Sequence, residues 1–375
     1  MYIKGNLKKD RKTKNLVKRL RAGDIAIIDH KDIDEIAAIS LVESKVKCVL
    51  NLNKSISGKY PNKGPSILVD AGIILLESKN KEIFDVVCEG EELEINNNLI
   101  LYKDKVIGNF EELDSNKIKE LLSIGYSNIE KELDKFIENT LEYAKKEKEL
   151  VLEKGNIPKV KTKINGRHVL VVVRGKDYKK DLLAIQNYIS EVKPVLIGVD
   201  GGGDALLEFG LTPDILIGDM DSVSDKCLRL SKEIIVHAYT DGRAPGLQRV
   251  NALGLDAKIF PSAGTSEDIA FLLAYYNNVD LIVAVGTHSN MIDFLEKGRS
   301  GMSSTFLVRL KVGSKLVDAK GVNMLYRSSL KPKYVVGLGI AALIPIIVLT
   351  LMFPPMKELI KLIQIRLRIL FGFRR

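Results

Sequence analysis

The stretch PVLIGVDGGGDALLEFG (194–210), followed closely by PDILIGDMDS (213–222), decides the fold. Each half opens with a short run of Val, Ile and Leu, and each run ends in an acid, Asp200 or Asp219. Apolar runs without polar alternation read as strands buried on both faces of a mostly parallel sheet. Gly201, Gly202 and Gly203 turn the first run into ALLEFG, which reads as a helix. Strands alternating with helices mean an α/β architecture, in which ligands bind beyond the carboxyl ends of the strands. Asp200, Asp219 and Asp221 fall at those ends.

The chemistry follows from position. Glycines after a strand let backbone N–H groups approach a phosphate, and a helix N-terminus adds partial positive charge. Asp219 and Asp221 are two residues apart and share a side of an extended segment. With Ser222 beside them, they suit Mg²⁺ bridging phosphate oxygens. A solvated strand end with capping acids is the competing reading of this motif alone. Further on, SAGTSEDIAFLLAYY (262–276) opens a helix with Thr265, Ser266 and Asp268 available to cap or to bind. DLIVAVGTHSN (280–290) is a strand and turn carrying His288, which either meets ligand or packs. Arg299 lies in the Gly/Ser-rich EKGRSGMSST (296–305) and suits a phosphate clamp. TDGRAPG (240–246), with Arg243, is an interaction surface or a second anion contact.

Around this unit, residues 1–112 read as a small α/β domain. Its strand and helix order is similar to swivelling β/β/α domains, but its loop SISGKYPNKGP (55–65) carries no His. Residues 113–165 form a charged helical connector. Ile129, Leu133, Phe136, Thr140, Tyr143, Glu147 and Leu150 make a seam that admits either a hairpin within the chain or a homo-oligomeric coil. Residues 166–330 are the parallel unit. Residues 334–353, YVVGLGIAALIPIIVLTLMF, run without a charge and read as a transmembrane or re-entrant segment. Residues 354–375 read as a basic amphipathic tail.

The 375 residues carry 57 Lys and Arg against 48 Asp and Glu, a net charge of +9. Much of the excess lies at the two ends, where it suits a membrane surface or a phosphorylated small molecule. No nucleic-acid-reading module or stacking pattern accompanies it, so nucleic acid is not an expected partner. Cys48, Cys88 and Cys227 are scattered, which excludes a zinc cluster or disulfide framework. The N-terminus has no apolar signal region. The body is therefore expected at the cytoplasmic face of the cell membrane, anchored by the C-terminal segment.

The order DGG, PD.LIGDMDS, ED and G.H resembles the catalytic domain of thiamin pyrophosphokinase. HAYTDGRAPG (237–246), GTSEDIA (264–270), GTHSNMIDFLEKGRSGMSSTF (286–306) and LVDAKGV (316–322) are more closely similar to the SteA-like family. Those are cytokinetic-ring proteins with a thiamin-pyrophosphokinase-like domain, and the resemblance covers about residues 15–330. It implies a cell-division role with a protein partner. It implies ATP or another nucleotide and Mg²⁺ as ligands. Asp219, Asp221 and Asp268 would hold the metal; Asp200, Gly201, Gly202, Gly203, Ser222, Thr265, Ser266, His288 and Arg299 would hold the nucleotide. The kinase D-x-T-D is Thr265-Ser266-Glu267-Asp268 here, and its G-G-R-x-D-H turn is Gly286-Thr287-His288-Ser289-Asn290. No Trp is present to stack an organic cation. These departures point to ligand binding without full kinase activity; an active thiamin diphosphokinase is the alternative.

Overall fold

The computed structural model describes residues 2–152, 157–288, 290–320, 322 and 332–370. The chain divides into two units, Met1–Asn323 and Met324–Arg375. The fold is mixed α/β with parallel sheets. The larger unit contains two of them.

The first sheet is built from β1 (Tyr2–Lys9), β2 (Ile25–Ile28), β3 (Cys48–Asn51), β4 (Ile74–Glu77), β5 (Glu92–Asn96), β6 (Leu99–Tyr102), β7 (Lys105–Asn109) and β8 (Glu111–Glu112). Its order is β7-β6-β5-β1-β2-β3-β4-β8, with β1 to β4 parallel and the flanking strands antiparallel. The second sheet contains β9 (His168–Val173), β10 (Val195–Val199), β11 (Ile215–Gly218), β12 (Glu233–Ala238), β13 (Lys258–Pro261), β14 (Leu281–Val285) and β15 (Leu316–Asp318). Its order is β13-β12-β11-β10-β9-β14-β15, and every described pairing is parallel.

Alternation along β9 explains why this sheet needs cover on both sides. Val169, Val171 and Val173 pack with Ile197, Ile217 and the helix Ser266–Tyr276 through Ile269, Phe271 and Leu273. Leu170 and Val172 point the other way, onto Leu182, Ala205 and Leu206. Fully burying such side chains is worth about 1.5–3 kcal/mol each.

The glycines of the DGGG turn are used first for this packing. A Cβ on Gly202 would stand 1.9 Å from the Val172 carbonyl oxygen, and one on Gly203 2.7 Å from Cys227 Sγ and from Leu216 Cδ1. The helix Gly201–Glu208 therefore lies on the sheet at backbone contact. The chain order reverses between β9 and β14, where open α/β sheets usually leave a crevice. Here a Cβ on Gly175 would meet the Gly286 carbonyl oxygen at 1.9 Å, so the two strand ends close against each other. The open strand ends are those of β10, β11 and β12.

The connector helices Ser115–Ser127 and Ile129–Lys146 pack differently from the seam expected of them. The second buries Glu132, Phe136, Thr140 and Ala144, spaced by fours, whereas Leu133 and Tyr143 stay exposed. Tyr60, Phe136, Phe294 and Leu295 form one cluster, which ties the loop of residues 55–65 and the connector to the second sheet. Lys176 pairs with Glu35 at 2.5 Å across the same junction.

The smaller unit holds the helices Pro332–Met352, which continues through Pro345, and Pro354–Leu370. It corrects one expectation. Among the described residues no helix is long and apolar enough to cross a membrane, so the transmembrane or re-entrant segment at 334–353, and the anchoring it implied, are not supported.

The packing makes a direct prediction. Gly202→Ala should lower unfolding free energy by about 3 kcal/mol or more, because backbone must move to admit the methyl group. Urea denaturation of the two proteins measures it.

Candidate functional site

Asp200 follows β10 with φ +48° and ψ −121°, a conformation that side-chain-bearing residues seldom adopt. Two contacts hold it there. Its N–H donates to the Ile217 carbonyl at 2.8 Å, and its Oδ1 accepts from the Met220 N–H at 3.3 Å. The carboxyl thus lies across the end of β11. Gly218 permits this, since a Cβ there would stand 1.8 Å from Asp200 Oδ1. Met220 also has positive φ, +63°. Two such residues facing each other at strand ends mark a place where the fold holds an unfavourable backbone for another purpose.

That purpose is legible in the charges. Asp219 follows β11 and acts on the Asp200 carboxyl across the strand ends. Burial, and then the Asp219 carboxylate, push the Asp200 carboxyl up to about 7. The Ser266 hydroxyl lies near enough to Asp200 to favour its charged form, and its Oγ stands 3.3 Å from His237 Nδ1, at the end of β12. His237 Nε2 is 3.1 Å from the Ser262 carbonyl. Burial holds this imidazole below its ordinary value, while Asp219 pulls it up and Arg299 pushes it down. Asp219, Asp200, Ser266 and His237 are thus neighbours across three adjacent strand ends.

The surrounding loops are pinned. Arg249 donates to the carbonyls of Met220 and Val223, the latter at 2.9 Å, and pairs with Asp225. Asp221 N–H donates to Asp219 Oδ1 at 2.9 Å. Arg299 is carried by a loop fixed to the connector, where Thr140 Oγ1 accepts from Met302 N at 3.1 Å and Asn139 donates to the Ser300 carbonyl. Gly201 borders Arg174, whose Cδ would be 3.4 Å from an added Cβ. Ser222 is partly buried beside the same turn.

The other residues singled out from sequence divide clearly. Asp221 is exposed and pairs with Lys12 of the N-terminal segment at 3.6 Å. Thr265 and Asp268 form a reciprocal capping box at the start of the helix Ser266–Tyr276. Asp268 Oδ2 accepts from Thr265 N at 3.0 Å, Ser304 Oγ at 2.8 Å and Thr305 Oγ1 at 3.2 Å. Asp268 is fully buried, and burial together with Glu267 raises its carboxyl above the ordinary range. His288 is buried against Glu267, with Nδ1 3.3 Å from Oε2, and Arg309 lies 3.7 Å from Glu267 Oε1. Among the described residues no group of three or more His, Cys, Asp or Glu is placed to hold a metal ion. The trio Asp219, Asp221 and Asp268 is thus not assembled as one cluster among the described residues: Asp268 is buried at a helix start, whereas Asp219 and Asp221 are exposed. Asp200 and Asp219 lie at the ends of neighbouring strands.

Sequence reasoning passed over His237, Arg174, Arg249 and Lys12. His237 had a usable signal, since it ends the apolar run EIIVHA and so obeys the same strand-end rule as Asp200. Lys12 had none, because it reaches the site from a different sheet.

The raised Asp200 carboxyl fixes a pH dependence. An unfolded Asp titrates near 3.9. Between that value and about 7 the folded chain holds a proton that the unfolded chain releases. The group's contribution to stability is therefore complete below about pH 4 and is lost as pH rises to about 7. Asp200→Asn should be more stable than the parent at pH 8 and lose that advantage at pH 4.5, as read by urea denaturation at both values.

Comparison with known proteins adds two findings. Residues 320–371 match the family model described as the SteA-like C-terminal domain. Over 99 residues the chain is 31% identical to 6-hydroxymethyl-7,8-dihydropterin pyrophosphokinase of Methanocaldococcus jannaschii, covering 24% of this chain and 41% of that protein. The chain thus combines a SteA-like C-terminal domain with a weak likeness to pyrophosphokinases, and spans about two fifths of the curated relative's length. Among solved structures it is similar to thiamine pyrophosphokinase from Bacillus subtilis, at 20% identity, 40% of this chain, 60% of that chain and a TM-score of 0.26. It is also similar to 3-isopropylmalate dehydratase from Methanocaldococcus jannaschii, at 18% identity, 39% of this chain, 99% of that chain and a TM-score of 0.22.

Proposed function

We propose that this chain is a SteA-like cell-division protein whose parallel sheet binds a nucleoside polyphosphate with Mg²⁺ as a structural or regulatory ligand. The observation that carries the binding claim is the carboxyl pair Asp200–Asp219, which follows the adjacent parallel strands β10 and β11, with Asp200 held across the end of β11 by the Met220 N–H. A divalent cation relieves the repulsion between the two acids. Mg²⁺ is commonly held by one or two carboxylates, with phosphate oxygens and water completing its shell, so a pair fits where a full cage is absent. When bound, the ion would neutralise phosphate charge. Arg174 and Arg299 flank the site and suit the outer phosphates, and Lys12 pairs with Asp221 at its edge.

Transfer of a pyrophosphoryl group needs more than binding. It needs an oriented acceptor and charge stabilisation at the leaving oxygens. Asp268 and His288 are tied into buried contacts, which favours a ligand-binding role over full catalysis. A second reading, an active diphosphokinase, draws support from the 31% identity to a pyrophosphokinase.

Calorimetry with ATP, ADP and GTP in the presence of Mg²⁺ separates these ideas. Asp219→Asn should weaken Mg²⁺-dependent binding by about 30-fold or more, the cost of losing one charged ligand of the carboxylate pair. Asp268→Ala, which removes the acceptor for Thr265, Ser304 and Thr305, should lower stability by about 1–3 kcal/mol and leave affinity near the parent value. No binding of any nucleotide removes the proposal, and AMP release dependent on an acceptor alcohol establishes the second reading. For the cell-division role, a fluorescent fusion should gather at the division site, and deletion should give elongated or chained cells. Uniform distribution with normal division contradicts it.

A further inference from the structure

We infer that the ligand's organic part has its own site beside the strand ends, a pocket for one planar heterocycle bearing an exocyclic amino group. This rests on the polyphosphate reading above and names the rest of that ligand. Against the edge strand β13 lies a pocket of about 300 Å³ lined by Phe260, Tyr276, Leu272, Leu150, Ser262 and Glu149, among others. That volume is at the small end of ligand sites. It suits a single ring system and leaves no room for the phosphates of the same molecule.

The lining has the mixture such a ring requires. Phe260 and Tyr276 supply aromatic surface, and Leu150 and Leu272 supply apolar contact. The Tyr276 ring is fixed by an edge contact with Tyr275, centroids 5.6 Å apart, and by the Lys311 ammonium 5.9 Å from its centroid. A ring held in place before binding loses little freedom when the ligand arrives. The Ser262 hydroxyl and the Glu149 carboxylate bring hydrogen-bond acceptors, which an exocyclic amino group can satisfy.

Position ties the pocket to the carboxyl pair. Ser262 lines the pocket, and its carbonyl stands 3.1 Å from His237 Nε2. His237 Nδ1 meets Ser266 Oγ at 3.3 Å, and Ser266 neighbours Asp200 across the strand ends. The pocket wall and the acids are therefore joined through His237 and Ser266, and the sugar and phosphates of one nucleotide would bridge them. The charged end would lie on Asp200 and Asp219 through the cation, and the base in the pocket.

The test compares Mg²⁺-ATP, Mg²⁺-ITP and Mg²⁺-tripolyphosphate by calorimetry on the full chain. The parent should prefer ATP over tripolyphosphate by about 30-fold, the scale of one stacked base. ITP, lacking the amino group, should fall between them. Ala263→Trp, which fills the pocket from a partly exposed position, should bring ATP within about threefold of tripolyphosphate and leave tripolyphosphate unchanged. Tyr276→Leu serves as a second variant, with circular dichroism confirming the fold of both. Equal affinity for ATP and tripolyphosphate in the parent, or a preference that survives both variants, overturns the pocket and leaves the strand-end reading standing. Absence of binding by all three probes overturns both.

Discussion

Neighbouring carboxyl groups disfavour each other's charge, and this fold places Asp200 and Asp219 at the ends of adjacent parallel strands, where Asp219 raises the Asp200 carboxyl. The constraint originates in the sheet. β10 and β11 are neighbours and parallel, so their final residues emerge side by side. Gly218 removes the one Cβ that would separate them, and the Met220 N–H steadies Asp200 above the gap. The backbone then accepts positive φ at Asp200 and Met220. A protein that needed only a stable sheet would gain by removing either acid. Keeping both is intelligible if a cation or proton belongs between them.

Much of the larger unit serves this arrangement. The Gly202 and Gly203 contacts press a helix onto the sheet and so fix the turn after Asp200. Arg249 binds the GDMDS loop from behind. The capping box of Thr265 and Asp268 sets the start of the helix that delivers Ser266. The connector helix Ile129–Lys146 holds the loop bearing Arg299. The N-terminal sheet reaches across through Lys12 and through Tyr60 in the shared aromatic cluster. Acids that look equivalent in sequence thus divide into two physical kinds. Asp200 neighbours a second acid that raises it, and Asp268 is engaged through Oδ2 by Thr265, Ser304 and Thr305.

The parallel sheet was legible in the sequence because strands buried on both faces leave uninterrupted Val, Ile and Leu runs, as at 169–173 and 215–217. Its strand-end acids were legible for the same reason. The role of Asp268 was not, because Thr265 and Asp268 satisfy a capping box and a metal motif equally well until Ser304 and Thr305 are brought up from a distant helix. The DGGG turn carries a second demand that its sequence does not display, since Gly202 and Gly203 are needed where helix meets sheet. The apolar run at 334–353 suggested a membrane span from composition, and the described helices do not support one.

Direct observation of a cation at the acid pair is the most searching measurement. Mn²⁺ can stand for Mg²⁺, and its electron paramagnetic resonance signal falls when it is bound. Titrating the full chain with Mn²⁺, with and without ATP, should show one ion held per chain in the ternary mixture. Weak or no retention is expected without nucleotide, and loss of the ternary site in Asp200→Asn combined with Asp219→Asn. Mn²⁺ retained by that double variant as firmly as by the parent, or no retention in any mixture beyond that of free ATP, would contradict the account.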